Sequence, residues 1–313
     1  MVKIAVAGFG EISREIIKAI LAEGRHDVTV LSRQDAPRTI LPGLSWVKVD
    51  YHDKTQLAQA LRGVHTVLSF IVVMQDQGNI AQINLIDTCV AEGVKRFAPS
   101  EWSFYSVETF AMYHGKRDVR RYLEKLNEQN KVLEYCLFIP GVLMNYLGPP
   151  EKLGGNLSYT QLFLDFGNCR AILPAGSDAT VTFTTIEDVA RVVVGALDYS
   201  GEWPVMGGIA ASRTTISDIL QLGEKIRGKS FAIETVKLAD LDANIFTTSW
   251  NPVTLHPTIP VDQRELAGRE FMRLSLLSLT DGVWNISSEW NQLLPNLKFT
   301  TLEEFLQESW RDN

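Results

Sequence analysis

The 313-residue chain is poor in cysteine: it has three, Cys89, Cys136 and Cys169, and no C-x-x-C pair among them. An odd, widely spaced set excludes a disulfide framework or a cysteine zinc site, and fits a reducing compartment. Histidine is also scarce. The five histidines show no metal-ligand spacing, so no metal is expected. Nor is there an excess of positive charge. A net charge of -7 speaks against a general nucleic-acid binder, which needs a basic surface to displace counterions. No apolar run is long enough to span a bilayer, and the chain enters strand-like sequence at Lys3, leaving no room for a signal-peptide apolar region. The expectation is a soluble, cytoplasmic protein that takes a small-molecule substrate and has neither nucleic acid nor membrane as a partner. A homodimer is left open.

What is present is a regular alternation. Residues 3–7, 28–31, 45–49, 65–71, 96–99 and 134–139 read as apolar strands. Between most of them lie segments with helical spacing, at 12–21, 54–61, 80–91 and 116–127. Strands apolar throughout, separated by amphipathic helices, predict a parallel sheet covered on both faces, hence a doubly wound α/β (Rossmann) fold. The texture changes after Pro140, where Gly141, Gly148, Pro149, Pro150, Gly154 and Gly155 crowd together. The expected division is a dinucleotide-binding domain over 1–145, rejoined by 181–200. A smaller substrate domain takes 146–180 and 201–313. Residues 223–230 spell G-x-x-x-x-G-K-S, but a helix precedes them and a strand follows, the reverse of a phosphate loop; a helix end and turn is expected.

The stretch "AGFGEIS" follows the first strand and opens the first helix. Gly8 and Gly10 suit a tight turn and close backbone approach to a pyrophosphate; Ser13 stands where a third glycine is usual, and that position needs smallness. The helix N-terminus then faces the phosphates. Glu11 favours the first helical turn and is expected to turn outward, away from them. The second strand ends Leu31-Ser32-Arg33, with a cation where an acidic residue usually binds the ribose 2′-hydroxyl. Arg33, with Arg38 as a second candidate, predicts a 2′-phosphate and therefore NADP, although Asp35 lies nearby. Open α/β sheets place their crevice beyond the strands' carboxyl ends. The expected cofactor contacts are therefore Gly8, Phe9, Gly10, Glu11, Ile12, Ser32, Arg33, Phe70, Ile71, Gln75, Pro99, Ser100, Lys116, Pro140 and Gly141.

"VAGFGEISREI", "LSR", "KRFAPSEW" and "YHGKRDVRRYLE", in this order and spacing, resemble the NmrA-like and isoflavone-reductase-like family, an atypical branch of the short-chain dehydrogenase/reductases. The acidic loop residue and "PSEW" are most like its fungal members. The resemblance implies an NADP-binding domain, a small substrate domain, and aromatic or secondary-metabolite substrates. Lys116 matches the lysine that reductases of this family keep. The tyrosine-x-x-x-lysine pair of typical short-chain reductases is absent, since no tyrosine has a lysine four residues later. Tyr113 lies one helical turn before Lys116.

Lys116 is thus the expected proton shuttle or ribose contact, with Tyr113 and Glu101 as further catalytic candidates. Glu101 has two readings of equal weight: a general acid raised by burial against Trp102, or a carboxylate that caps the loop or pairs with an arginine. Trp102, Tyr105, Asn145 and Tyr146, together with Phe104 and Trp250, are expected to line the substrate. The leading expectation is an NADPH-dependent reductase of a small aromatic or heterocyclic metabolite. The missing tyrosine–lysine pair motivates an alternative, an NADP-bound enzyme running non-redox acid/base chemistry with Glu101 and Lys116, such as a Pictet-Spengler-like cyclisation or a condensation. The family resemblance adds a third, an NADP-sensing regulator without catalysis.

Overall fold

The apolar run beginning at Ile4 becomes the centre of a parallel sheet. The computed structural model describes residues 1–105, 110–245 and 247–311. In its first half, β1 (Lys3–Ala7), α1 (Glu11–Glu23), β2 (Asp27–Ser32), β3 (Leu44–Lys48), α2 (Lys54–Leu61), β4 (Thr66–Ser69), α3 (Ile80–Ala91), β5 (Arg96–Ala98), α4 (His114–Leu126) and β6 (Glu134–Tyr135) follow one another. The strands order as β3-β2-β1-β4-β5-β6, all parallel. The order reverses between β1 and β4, and the crevice of such a sheet lies there. Ile16, Ile17 and Ile20 of α1 are fully buried on one face of the sheet, and Leu57, Leu61, Leu85 and Ile86 on the other. This is the doubly wound α/β architecture that the strand pattern predicts.

The strand expected over 134–139 is interrupted at Cys136, whose N–H still reaches Phe97. Its continuation, β7 (Leu137–Ile139), pairs instead with β12 (Met206–Gly208). Between them come β8 (Val142–Leu143), β9 (Leu164–Asp165), β10 (Arg170–Pro174), β11 (Thr180–Thr184) and α5 (Ile186–Asp198). Helix α5, capped by Thr185 on the Asp188 N–H, packs against α1. The chain ends with β13 (Ser212–Thr215), α6 (Ile216–Arg227), β14 (Ala232–Val236), α7 (Leu238–Asp242), α8 (Arg264–Leu279), α9 (Glu289–Leu293) and α10 (Leu302–Ser309).

Two small sheets, β14-β10-β9 and β13-β11-β8, form the second half. Residues 201–313 do not all stay there. Trp203 and Trp290 bury themselves against Phe138 of β7, Trp290 stacked at 5.4 Å, in the same buried cluster as Ile16 and Ile17 of α1. Indole rings carry enough apolar area to settle on the larger core regardless of chain order. At Gly228 helix α6 ends in a left-handed cap before β14 begins, so 223–230 is the helix end and turn that element order predicts. No helix among the described residues is long and apolar enough to cross a membrane.

Candidate functional site

A single cleft of about 670 Å³ runs from the glycine loop, past the carboxyl ends of β4 and β5, to the C-terminal half. At one end Gly8 has φ +104° and approaches β4 so closely that a Cβ would meet the Phe70 carbonyl at 3.0 Å. Gly8 is therefore glycine for the turn and for this close backbone approach. Gly10 differs. A Cβ there would meet nothing within 4 Å, and Gly10 caps α1 with no side-chain bond. The first N–H groups of α1 thus open onto the cleft with no side-chain cap, the arrangement that receives a phosphate. Ser13 is fully buried and its hydroxyl bonds the Gly10 carbonyl at 3.0 Å, so smallness is what the position uses.

Glu11 does not turn to solvent. Its carboxylate accepts the Ser158 N–H at 3.0 Å and the Ser158 hydroxyl, while Glu15 accepts the N–H and side-chain amide of Asn156. The segment 156–158 is tied in this way across the first turn of α1. Beyond β2, the Ser32 hydroxyl accepts the Gln34 N–H, and exposed Arg33 reaches Gln75 at 3.5 Å. Asp35 is paired with Lys48 at 2.9 Å, so its charge is already answered beside Arg33. Phe9 packs edge-on against Trp46, outside the cleft lining.

Phe70, Ile71, Gln75 and Ser100 line the cleft. Gln82, which sequence reasoning passed over, staples this floor: its buried Oε1 accepts the Ser69 hydroxyl and the Ser100 N–H. Neither Pro99 nor Pro140 reaches the lining. Gly141 does, but its φ of +72° and a 2.5 Å Cβ approach to the Thr182 carbonyl show that close packing on β11 also requires glycine.

Lys116 sits in the first turn of α4, only 7% exposed, with Nζ donating to the Glu101 carbonyl at 2.6 Å. The Tyr113 ring covers the ammonium at 4.2 Å, so the two share one face as their spacing predicts. Burial, opposed in part by Glu101, lowers the Lys116 pKa from 10.5 to about 8. Burial also raises the Tyr113 and Tyr146 hydroxyls, which stay protonated at neutral pH. Of the two readings of Glu101, the structure shows the ion pair. Its carboxylate, on a side chain 1% exposed, receives Arg120 Nε at 2.8 Å and Nη2 at 2.7 Å. Both carboxylate oxygens are thus occupied by the one guanidinium. Arg120 was overlooked as a site residue, although it follows Lys116 by four positions on one helix face.

The expected substrate wall is corrected at several places. Trp102 is itself among the lining residues, its ring stacked on Phe70 at 4.4 Å and on Phe138 at 5.2 Å and its Nε1 donating to the Ser69 carbonyl, so packing fixes how it meets the cleft. Tyr105 is exposed and lies over Arg120, outside the lining. Asn145 is buried as a bracket, accepting the Ile186 N–H and donating to Leu153 and Glu187. Trp250 packs on Arg170 elsewhere. Tyr146 and Phe104 do line the cleft, joined by Leu162, Thr254, His256, Phe271 and Trp284. These come from segments far apart in sequence, whose meeting no local pattern announces. No group able to hold a metal occurs among the described residues.

The model of the NmrA-like family matches residues 2–306. "Oxidoreductase BOA1" of Botryotinia fuckeliana is 27% identical over 236 residues, covering 74% of this chain and 78% of that protein. Among solved structures, an isoflavone reductase superposes with TM-score 0.72 at 18% identity, covering 98% of each chain. The Escherichia coli NADPH-dependent quinone oxidoreductase QOR2, complexed with NADPH, gives 0.67 at 18% identity, covering 97% of this chain and 99% of that one.

Proposed function

We propose, from the premise that this chain belongs to the NmrA-like family, that it is an NADPH-dependent reductase of a small aromatic or heterocyclic metabolite. The observation that carries the reading is the continuity of the cleft: an uncapped helix N-terminus at one end, buried Lys116 in the middle, aromatic walls at the other end. The names of fungal relatives as oxidoreductases and the NADPH complex of the quinone oxidoreductase support it. NADPH bound there supplies a hydride. The α1 N–H groups at Gly10–Ser13 receive the pyrophosphate, and Arg33 answers the 2′-phosphate. Lys116 delivers the proton from Nζ to the substrate atom that gains negative charge, and Glu101 holds Nζ through its carbonyl. A non-redox reaction driven by Glu101 is disfavoured by the Arg120 pair.

Two substitutions test the cofactor end. Gly10→Ala places a methyl group where the fold leaves space, so melting temperature changes by only a few degrees while NADPH affinity falls by about tenfold or more. Unchanged affinity in a calorimetric titration contradicts the phosphate assignment. Arg33→Ala raises the Kd for NADPH by about tenfold and leaves that for NADH within about twofold. Equal losses for the two nucleotides contradict the NADP assignment.

A further inference from the structure

The cleft's far half combines Phe104, Leu162, Phe271 and Trp284 with two residues of the 254–258 segment, Thr254 and His256. The Thr254 hydroxyl is engaged with that of Thr160 at 3.3 Å. His256 is differently placed. Its Nδ1 accepts the Thr258 N–H at 3.3 Å and lies 2.6 Å from the Thr258 hydroxyl. A ring nitrogen that accepts an N–H carries no proton of its own, so this bond selects the tautomer with its hydrogen on Nε2. Among the described residues no protein group is bonded to Nε2. The backbone on either side is pinned, by the Leu255 N–H to Tyr159 at 2.8 Å and the Ile259 N–H to His256 at 3.0 Å. The ring is therefore held in one tautomer by its own turn, with its Nε2–H left over, and His256 is among the residues that line the cleft.

We propose that His256 is a specificity residue whose Nε2–H binds an oxygen of a planar aromatic substrate, so that the cleft selects aromatic carbonyl compounds over hydrocarbons of the same shape. Apolar walls supply affinity but discriminate weakly, whereas a fixed donor left unpaired by the wrong ligand discriminates strongly. The inference rests on the far half being the reductase's substrate site, yet its test needs no turnover.

The probes are 9-fluorenone and fluorene, one flat tricycle with and without a carbonyl oxygen, bound to the full chain and measured by equilibrium dialysis. The wild type is expected to hold fluorenone about five- to tenfold more tightly than fluorene, the worth of one sheltered hydrogen bond. His256→Leu abolishes that preference by weakening fluorenone alone. His256→Gln, which keeps an N–H near the position of Nε2, retains at least half of it on a logarithmic scale. Melting temperatures of both variants confirm that the cleft is intact. A wild type without preference, a preference that survives in His256→Leu, or equal weakening of both probes overturns the proposal. NADPH binding is titrated separately. Its absence beside a His256-dependent preference defeats the reductase reading and leaves the anchor standing.

Discussion

Replacing Lys116 with methionine is expected to lower kcat/KM for an aromatic carbonyl substrate by about 100- to 10,000-fold, the usual worth of a positioned proton donor. The Kd for NADPH should stay within about threefold, because the phosphate contacts lie at the other end of the cleft. The ammonium is poised by its surroundings. Burial disfavours its charge, and the Glu101 carbonyl at 2.6 Å and the Tyr113 face at 4.2 Å hold it in place. With its pKa at about 8, the protonated form predominates at neutral pH and is lost as pH rises. Activity should therefore fall through about pH 8 in the wild type, and Lys116→Met should lack that limb. The same shift has a consequence for stability. Between about 8 and 10.5 the unfolded chain binds the lysine proton more tightly than the folded chain, so folding gains as pH rises through that window. Denaturant titrations of wild type minus Lys116→Met should show that gain between pH 8 and 10. A flat difference, or a rate profile unchanged by the mutation, rules out Lys116 as the proton donor.

Arg120→Met should cost about 3–5 kcal/mol of folding stability, because it strands a buried carboxylate. Glu101 is 1% exposed in its side chain and Arg120 9%, and no water shell can replace the two guanidinium bonds. The double variant Glu101→Gln with Arg120→Met should recover much of the loss, since two neutral groups of similar size leave no unpaired charge. Urea unfolding measures both. A loss below about 1 kcal/mol in the single variant means that the pair is solvent-screened and does not fix the strand end. The pair also fixes the carbonyl that holds Lys116, so residual activity in Arg120→Met should fall even where the protein remains folded.

Much of the cofactor half was legible because its chemistry is local. The turn at Gly8, the space at Gly10, the buried serine at 13 and the Tyr113–Lys116 face each follow from spacing within one element or one loop. The strand order follows from alternation and the doubly wound rule. Glu101 shows where such reading stops. Its position at the crevice was plain, but which partner its carboxylate meets depends on a helix that begins 13 residues later. Asn145 shares this history: a polar residue beside a cleft was expected to face it, and packing used it as a bracket. Glu11 is bound by Ser158, 147 positions away. The far wall is the least legible, because Phe104, Leu162, His256, Phe271 and Trp284 meet only when both halves fold together.

The central claim is that a hydride crosses this cleft from a nicotinamide to an aromatic substrate. Its most direct measurement uses NADPH deuterated at the transferable position, incubated with the protein and 9-fluorenone, with the product analysed by mass spectrometry. The account predicts one deuterium on the carbinol carbon of 9-fluorenol, formed in step with loss of nicotinamide absorbance and nearly abolished in Lys116→Met. Binding of both ligands without deuterium transfer at any pH between 6 and 8 would contradict it.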